Sequence, residues 1–230
     1  MLNPVLHRNI LIQILKAVYS NPAIGPVLGF KGGTAAMMFY ELPRFSVDLD
    51  FDLLNPNFED KIMTDLPKIL QKFGGIHEAV KKKYTLLFIL SYQKGQRLIK
   101  IEISRRTTHN HSYEVKNFLG LAMLVVKQPD MVASKLSALL TRKKFASRDV
   151  FDVWYFLNKN WEINEDILLA ETGFSKKVAL AKAVRMIEKI DPDTFMPGLG
   201  ELVDNKTKFW IKNHLKEEVL FLLKTNLLSA

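Results

Sequence analysis

Apolar and polar positions alternate strictly over residues 45–53. Phe45, Val47, Leu49, Phe51 and Leu53 fall on one side; Ser46, Asp48, Asp50 and Asp52 fall on the other. Successive side chains of a strand point to opposite faces, so the pattern predicts a strand with an apolar face and an acidic one. Residues 97–105 repeat it, with Ile99, Ile101 and Ile103 against Lys100, Glu102 and Ser104. A β-rich run at 84–92 precedes that strand, and Gln93-Lys94-Gly95-Gln96 between them predicts a hairpin turn. Helical spacing appears earlier. Asn3-Pro4 supplies an N-cap and a first-turn proline, Val5, Ile12, Leu15 and Tyr19 recur on one face, and Asn21-Pro22 stops the helix. A second helix is predicted over 58–73, with Ile62, Leu66, Ile69 and Leu70 inward and Gly74-Gly75 at its end.

Residues 107–116 read as a polar loop, and 115–126 as one or two short strands broken at Gly120. From Pro129 the pattern is helical, over 131–144, 148–157, 163–169, 176–190 and 206–223. These elements define an α+β chain: a small mixed β-sheet with helices, then an all-helical C-terminal half. The expected domains are 1–125 and 126–230.

The acidic strand follows a turn of unusual composition. Val27 to Phe30 is a short apolar run, and Lys31-Gly32-Gly33-Thr34 comes directly after it. Two glycines permit positive φ and close approach to a ligand. Thr34 is positioned to cap the helix that starts there, and free N–H groups at a helix start attract phosphate. Ala35 and Ala36 allow that helix to sit close to a sheet, and Pro43 bounds it. Three carboxylates on one strand face repel one another, and aspartate is a poor strand former. A bound cation would explain the pattern; a solvated face of an edge strand is the plainer alternative.

Gly-Gly-Thr, a short helix, and then Arg44-x-Ser46-x-Asp48-x-Asp50-Phe51 resemble the polymerase-beta-type nucleotidyltransferase signature. In the form KGGTA…R-x-S-x-D-x-D-F the stretch is similar to the AbiEii/AbiGii toxin family, with which the mycobacterial MenT toxins are grouped. The resemblance covers most of the chain. It implies a magnesium- or manganese-dependent transfer of NMP from an NTP to an acceptor, with release of pyrophosphate. Asp48 and Asp50 would hold the metal, and Glu102 would take the place of a third carboxylate as ligand or general base. Aspartate is also common at that place. Lys31, Gly32, Gly33, Thr34 and Ser46 would hold the nucleotide. On its residues alone, Glu102 could instead be an exposed acid paired with Lys100 or a cross-strand lysine.

A further segment, Ala133-x-Lys135-Leu136-x-Ala138-Leu139-x-x-Arg142 followed by Arg148-Asp149-x-x-Asp152, also looks like this family. The resemblance implies catalytic roles for Lys135 and for an aspartate, matched better by Asp149 than by Asp152. The plainer account makes Asp149 a helix-start residue favoured by the dipole, and Arg148 with Asp152 an i,i+4 pair. The resemblance further implies the toxin half of a toxin–antitoxin pair, a separately encoded antitoxin, and tRNA as an acceptor. Two other classes stay open: a non-catalytic nucleotide- or RNA-binding member of the fold, and a metal-dependent phosphohydrolase using the aspartates with His109 and His111.

Composition narrows this modestly. The 230 residues carry 33 Lys and Arg against 24 Asp and Glu, a net charge of +9, which favours polyanionic partners. Lys81-Lys82-Lys83, Arg105-Arg106 and Arg142-Lys143-Lys144 are the basic clusters, with Lys176, Lys177, Lys182, Arg185 and Lys189 on the later helices. No aromatic-interleaved RNA motif accompanies them, and Trp154, Tyr155 and Phe156 read as helix core. The sequence has no cysteine, which excludes disulfides and thiolate metal sites. No apolar run is long enough to cross a bilayer, and His7, Arg8, Gln13 and Lys16 interrupt any signal-peptide pattern, so the cytoplasm is the expected compartment.

Overall fold

The computed structural model describes residues 2–106 and 111–230. Of these, residues 2–41, 45–106 and 112–126 form one compact unit; 42–44, 111 and 127–230 form another.

The first unit is a seven-stranded mixed sheet with helices. In chain order its elements are α1 (Pro4–Tyr19), β1 (Leu28–Lys31), α2 (Gly32–Phe39), β2 (Leu49–Leu53), α3 (Glu59–Leu70), β3 (Gly75–Lys81), β4 (Thr85–Ser91), β5 (Ile99–Ser104), β6 (Tyr113–Phe118) and β7 (Leu121–Val126). The sheet order is β3-β4-β5-β2-β1-β7-β6. Strand β2 lies at its centre, antiparallel to β1 and parallel to β5.

Period-two alternation builds the core. Leu49 and Phe51 of β2, Ile99, Ile101 and Ile103 of β5, and Leu86, Phe88 and Leu90 of β4 are all buried. The inner face of α3 is Ile62, Leu66, Ile69 and Leu70, as its spacing predicts. Helix α1 is capped by Asn3, whose side chain accepts the Leu6 N–H at 3.1 Å. Its inner face, however, is His7, Leu11, Ile14, Leu15 and Val18, and Val5 is exposed. That face includes His7, a buried polar residue whose Nε2 lies 2.9 Å from the Val47 carbonyl and whose Nδ1 lies 2.9 Å from the Tyr92 hydroxyl. With both ring nitrogens engaged the imidazole can be neutral inside the core, and burial lowers its pKa.

Three stretches differ from the pattern's expectation. The strand expected over 45–53 begins only at Leu49, because residues 45–48 are extended but outside the ladder. Strand β3 has no buried residue in its alternation, so it carries no apolar signal. The polar loop expected at 107–116 falls partly outside the described residues, and from Tyr113 onward it is strand β6. A tight turn at Leu119-Gly120, both with positive φ, joins β6 to β7.

The second unit contains α4 (Gln128–Thr141), α5 (Ser147–Asn158), α6 (Glu165–Thr172), α7 (Lys176–Glu188) and α8 (Asn205–Leu228). Helix α8 buries Ile211, Leu215, Val219 and Leu223, one stripe at i+4 spacing. Trp154 and Trp210 pack with ring centroids 4.2 Å apart, and both indole N–H groups donate to Glu218, at 2.9 and 3.3 Å. Tyr155 and Phe156 are buried, in keeping with a core role. No described helix is long and apolar enough to cross a membrane.

Phe88→Ala should cost about 3–5 kcal/mol of unfolding free energy in urea titration, from lost burial plus the cavity left behind. Val115→Ala, at a position 68% exposed, should stay within about 0.5 kcal/mol of wild type.

Candidate active site

The turn from β1 into α2 is tighter than expected. Helix α2 starts at Gly32 with Lys31 as its N-cap, and no side chain caps it. Gly32 has φ +77°, and a Cβ there would collide with the Asp50 carboxylate. Glycine is thus required twice over, for its backbone conformation and for the approach of Asp50. Thr34 is not the cap. It is fully buried in the first turn of the helix, and its hydroxyl donates to the Asp48 carbonyl. The first-turn amides of Gly32, Gly33 and Thr34 have no acceptor within the helix by position alone.

Strand register assembles the acids. Asp50 stands opposite Lys31 on β1 and opposite Glu102 on β5. Leu49 and Phe51 flank it on the core face, as Ile101 and Ile103 flank Glu102, so both acids lie on the other face of the sheet. Asp48 precedes β2, and its Oδ1 accepts the Lys100 N–H at 3.3 Å, two residues before Glu102. Asp48, Asp50 and Glu102 therefore lie along one strand pair. Glu102 is exposed and forms no ion pair among the described residues. Ser46 is buried in the extended segment before β2.

The remaining aspartate of the strand is neutralised. Asp52 Oδ1 lies 2.6 Å from Lys31 Nζ, and its Oδ2 accepts the Tyr113 hydroxyl at 2.5 Å. The Tyr113 ring lies where a Cβ on Gly29 would be, so Gly29 admits it. Lys31, expected at the nucleotide, has its ammonium in this ion pair. Alternation could not separate Asp52 from Asp48 and Asp50; the cation one strand away does.

Among the described residues, no three acidic or histidine side chains close on one point as a metal cage. Magnesium seldom uses one: it keeps several waters and takes one or two carboxylates plus substrate phosphates. The hard oxygen donors of Asp48 and Asp50 fit that mode.

In the second unit, Lys135 of α4 lies between two aspartates of α5. Its Nζ is 2.8 Å from Asp152 Oδ2 and 3.2 Å from Asp149 Oδ1. Arg44 grips Asp152 with two hydrogen bonds, Nε to Oδ1 and Nη2 to Oδ2, each 2.6 Å. Arg142 Nε approaches Asp149 Oδ2 at 3.0 Å, but without the alignment of a hydrogen bond. Lys135 is 17% exposed, and the two aspartates are 1% and 0% exposed. The surface pair expected between Arg148 and Asp152 gives way to this buried network, because Asp152 faces inward. Arg44 enters the sequence reading only as a motif letter; its bidentate grip spans 108 positions, beyond any local pattern. His109 lies outside the described residues. His111 Nε2 is 2.9 Å from Ser134 Oγ and 3.4 Å from Glu171, within the helical unit.

The architecture is that of nucleotidyltransferase-like proteins. A candidate nucleotidyltransferase from H. pylori superposes with a TM-score of 0.63 at 19% identity, over 98% of this chain and 95% of that one. JHP933 from Helicobacter pylori gives 0.58 at 19% identity, over 100% and 97%. An antigenic nucleotidyltransferase-like protein from Paracoccidioides brasiliensis gives 0.50 at 13%, over 86% and 96%. At these identities the likeness establishes the fold. The family comes from the sequence: residues 13–209 match the model of the nucleotidyl transferase AbiEii toxin family of type IV toxin–antitoxin systems, and the chain belongs to that family. No curated protein matches the chain.

The buried network sets a pH dependence. Burial alone would raise the Asp152 pKa, but Arg44 and Lys135 outweigh it and hold the carboxyl below its ordinary value of 3.8. Burial alone would lower that of Lys135, but Asp152 and Asp149 outweigh it and raise the ammonium above 10.5. A depressed carboxyl contributes stability that is complete above its unfolded pKa and is lost as pH falls through the folded one; a raised ammonium contributes stability that is lost as pH climbs through its folded value. Asp152→Asn should cost about 3–5 kcal/mol near neutral pH, because Arg44 and Lys135 keep their buried charges without it. In a urea-denaturation series the gap to wild type should narrow below pH 3.8; a gap constant with pH would show that Asp152 contributes no charge interaction.

Proposed function

We propose that this protein transfers a nucleoside monophosphate from an NTP to an RNA acceptor, using magnesium or manganese, and that tRNA is the natural acceptor. The observation that carries the reading is the register: Asp50 stands opposite Glu102 on a parallel strand, with the first residue of α2 packed against its carboxylate. A strand pair that gathers acids beside a helix start suits a metal-bound triphosphate, since the acids take the cation and the amides take phosphate oxygens. Asp48 and Asp50 would hold the metal, with Glu102 as a further ligand or as the base. The metal would offset triphosphate charge and make the acceptor hydroxyl easier to ionise.

The chain's own residues supply positioning. The amides of Gly32, Gly33 and Thr34 cradle the outer phosphates. The Thr34 hydroxyl fixes Asp48 through its carbonyl instead of touching the nucleotide. The acceptor oxygen attacks the α-phosphorus in line and its proton passes to Glu102. The new O–P bond forms as the bond to pyrophosphate breaks. Within the helical unit, Lys135 would supply positive charge for phosphate, with Asp149, 3.2 Å from its ammonium, orienting it. The net charge of +9 supports a polyanionic acceptor. Family membership supports the wider reading of a toxin restrained by a separately encoded antitoxin in the cytoplasm.

Magnesium should raise the melting temperature of wild type by mass action on the folded state. Asp48→Asn with Asp50→Asn should remove that rise and abolish transfer of label from an α-labelled NTP to tRNA. Transfer persisting in the double variant would refute the mechanism.

A further inference from the structure

The turn between β3 and β4 presents an aromatic ring between two cations. Tyr84 is 49% exposed. Lys83 Nζ lies 5.0 Å from its ring centroid, and the Arg106 guanidinium carbon lies 5.3 Å from it. The turn is held from several directions. The Lys82 N–H donates to the Thr85 carbonyl at 2.8 Å, and the Arg105 N–H donates to the Tyr84 carbonyl at 2.9 Å. The Arg105 guanidinium also donates to the carbonyls of Lys82 and Lys83, at 2.7 and 3.1 Å.

The basic residues here divide into two groups. Lys81 and Arg105 both pair with Glu59, and Lys82 faces Glu78 at 3.9 Å. Lys83 and Arg106 have no carboxylate partner among the described residues, and both are exposed. The paired cations hold the turn in shape and the unpaired ones leave it positively charged. A half-exposed ring on a braced turn, with two uncompensated cations beside it, suits a ligand that carries both an aromatic face and negative charge. Single-stranded nucleic acid offers both, because bases stack on aromatic rings while flanking phosphates meet Lys and Arg. An exposed cation–π contact is weak, so the long side chains can leave the ring for phosphates as a base takes its place.

We propose that Tyr84, Lys83 and Arg106 form a docking platform for a single-stranded polynucleotide, with one base stacked on Tyr84 and the neighbouring phosphates on Lys83 and Arg106. Arg106 lies four residues beyond Glu102, about 13 Å along an extended chain. As a guide for the acceptor strand, the platform rests on the transfer reading; as a binding site it needs no transfer.

Fluorescence anisotropy of a labelled single-stranded oligouridine, without NTP, tests it. Wild type should bind this probe and its oligodeoxythymidine counterpart, since neither stacking nor phosphate contact reads the 2′-hydroxyl. Tyr84→Ala should weaken binding roughly tenfold, the usual effect of losing one stacked base, whereas Tyr84→Phe should bind as wild type does. Lys83→Gln with Arg106→Gln should make the slope of log affinity against log salt shallower by about 1.4, two lost phosphate contacts on a single strand. Unaltered binding by Tyr84→Ala, with its circular dichroism also unaltered, overturns the platform even if wild type labels RNA. Tyr84-dependent binding by a wild type that transfers no nucleotide sustains the platform and counts against the transfer reading alone.

Discussion

Repulsion between like charges on adjoining strands is the constraint around which the sheet unit is arranged. Strand β2 places acids on one face of the sheet, and β5 adds Glu102 beside Asp50. At Asp52 the protein relieves the charge itself, with the Lys31 ammonium and the Tyr113 hydroxyl. At Glu102 it supplies no cation among the described residues. This difference along a few residues of one sheet face separates an aspartate paired within the chain from a glutamate that has no ion-pair partner among the described residues. The cost falls on a strand that is otherwise deeply anchored, with Leu49 and Phe51 fully or almost fully buried.

The helical unit answers the same physics in the opposite way. Asp149 and Asp152 are removed from solvent, and an unpaired carboxylate there would be far costlier than on the sheet face. Arg44, Lys135 and Arg142 surround them. Arginine suits Asp152 because its planar fork meets both carboxylate oxygens, and the observed contacts are bidentate. A buried network of this kind gives little net stability over apolar packing, but it tolerates few substitutions. It fixes the direction of the Lys135 ammonium, which a solvated lysine would leave free.

Much of this was legible in the sequence where one rule acted alone. Asp50 and Glu102 could be placed on the acidic faces of two strands because both strands obey period two without interruption, and the helices from α3 onward follow their apolar spacing. Legibility failed where a polar residue was buried or an apolar one was missing. The inner face of α1 includes the polar His7 and leaves Val5 exposed. Strand β3, with no buried side chain, left no trace. Thr34 has a residue type common at helix caps, yet its hydroxyl is taken by a carbonyl fourteen positions away. The joining of Arg44 to Asp152 depends on the chain's long-range path, which no local window contains.

Arg44 has one consequence for reading genetics in a family of toxins. It lies two positions before Ser46 in the signature, but it belongs to the helical unit, whereas Ser46 belongs to the unit that holds the sheet. Letters of a single motif thus serve two different cores. If Asp50 serves the proposed transfer, selection for cells that survive expression of such a toxin will recover changes at Arg44 as well as at Asp50, for unrelated reasons: one strips a buried carboxylate of its partner, the other removes an acid from the sheet face. On that mechanism a survivor altered at Arg44 reports on protein quality control, whereas a survivor altered at Asp50 that accumulates to normal abundance reports on chemistry.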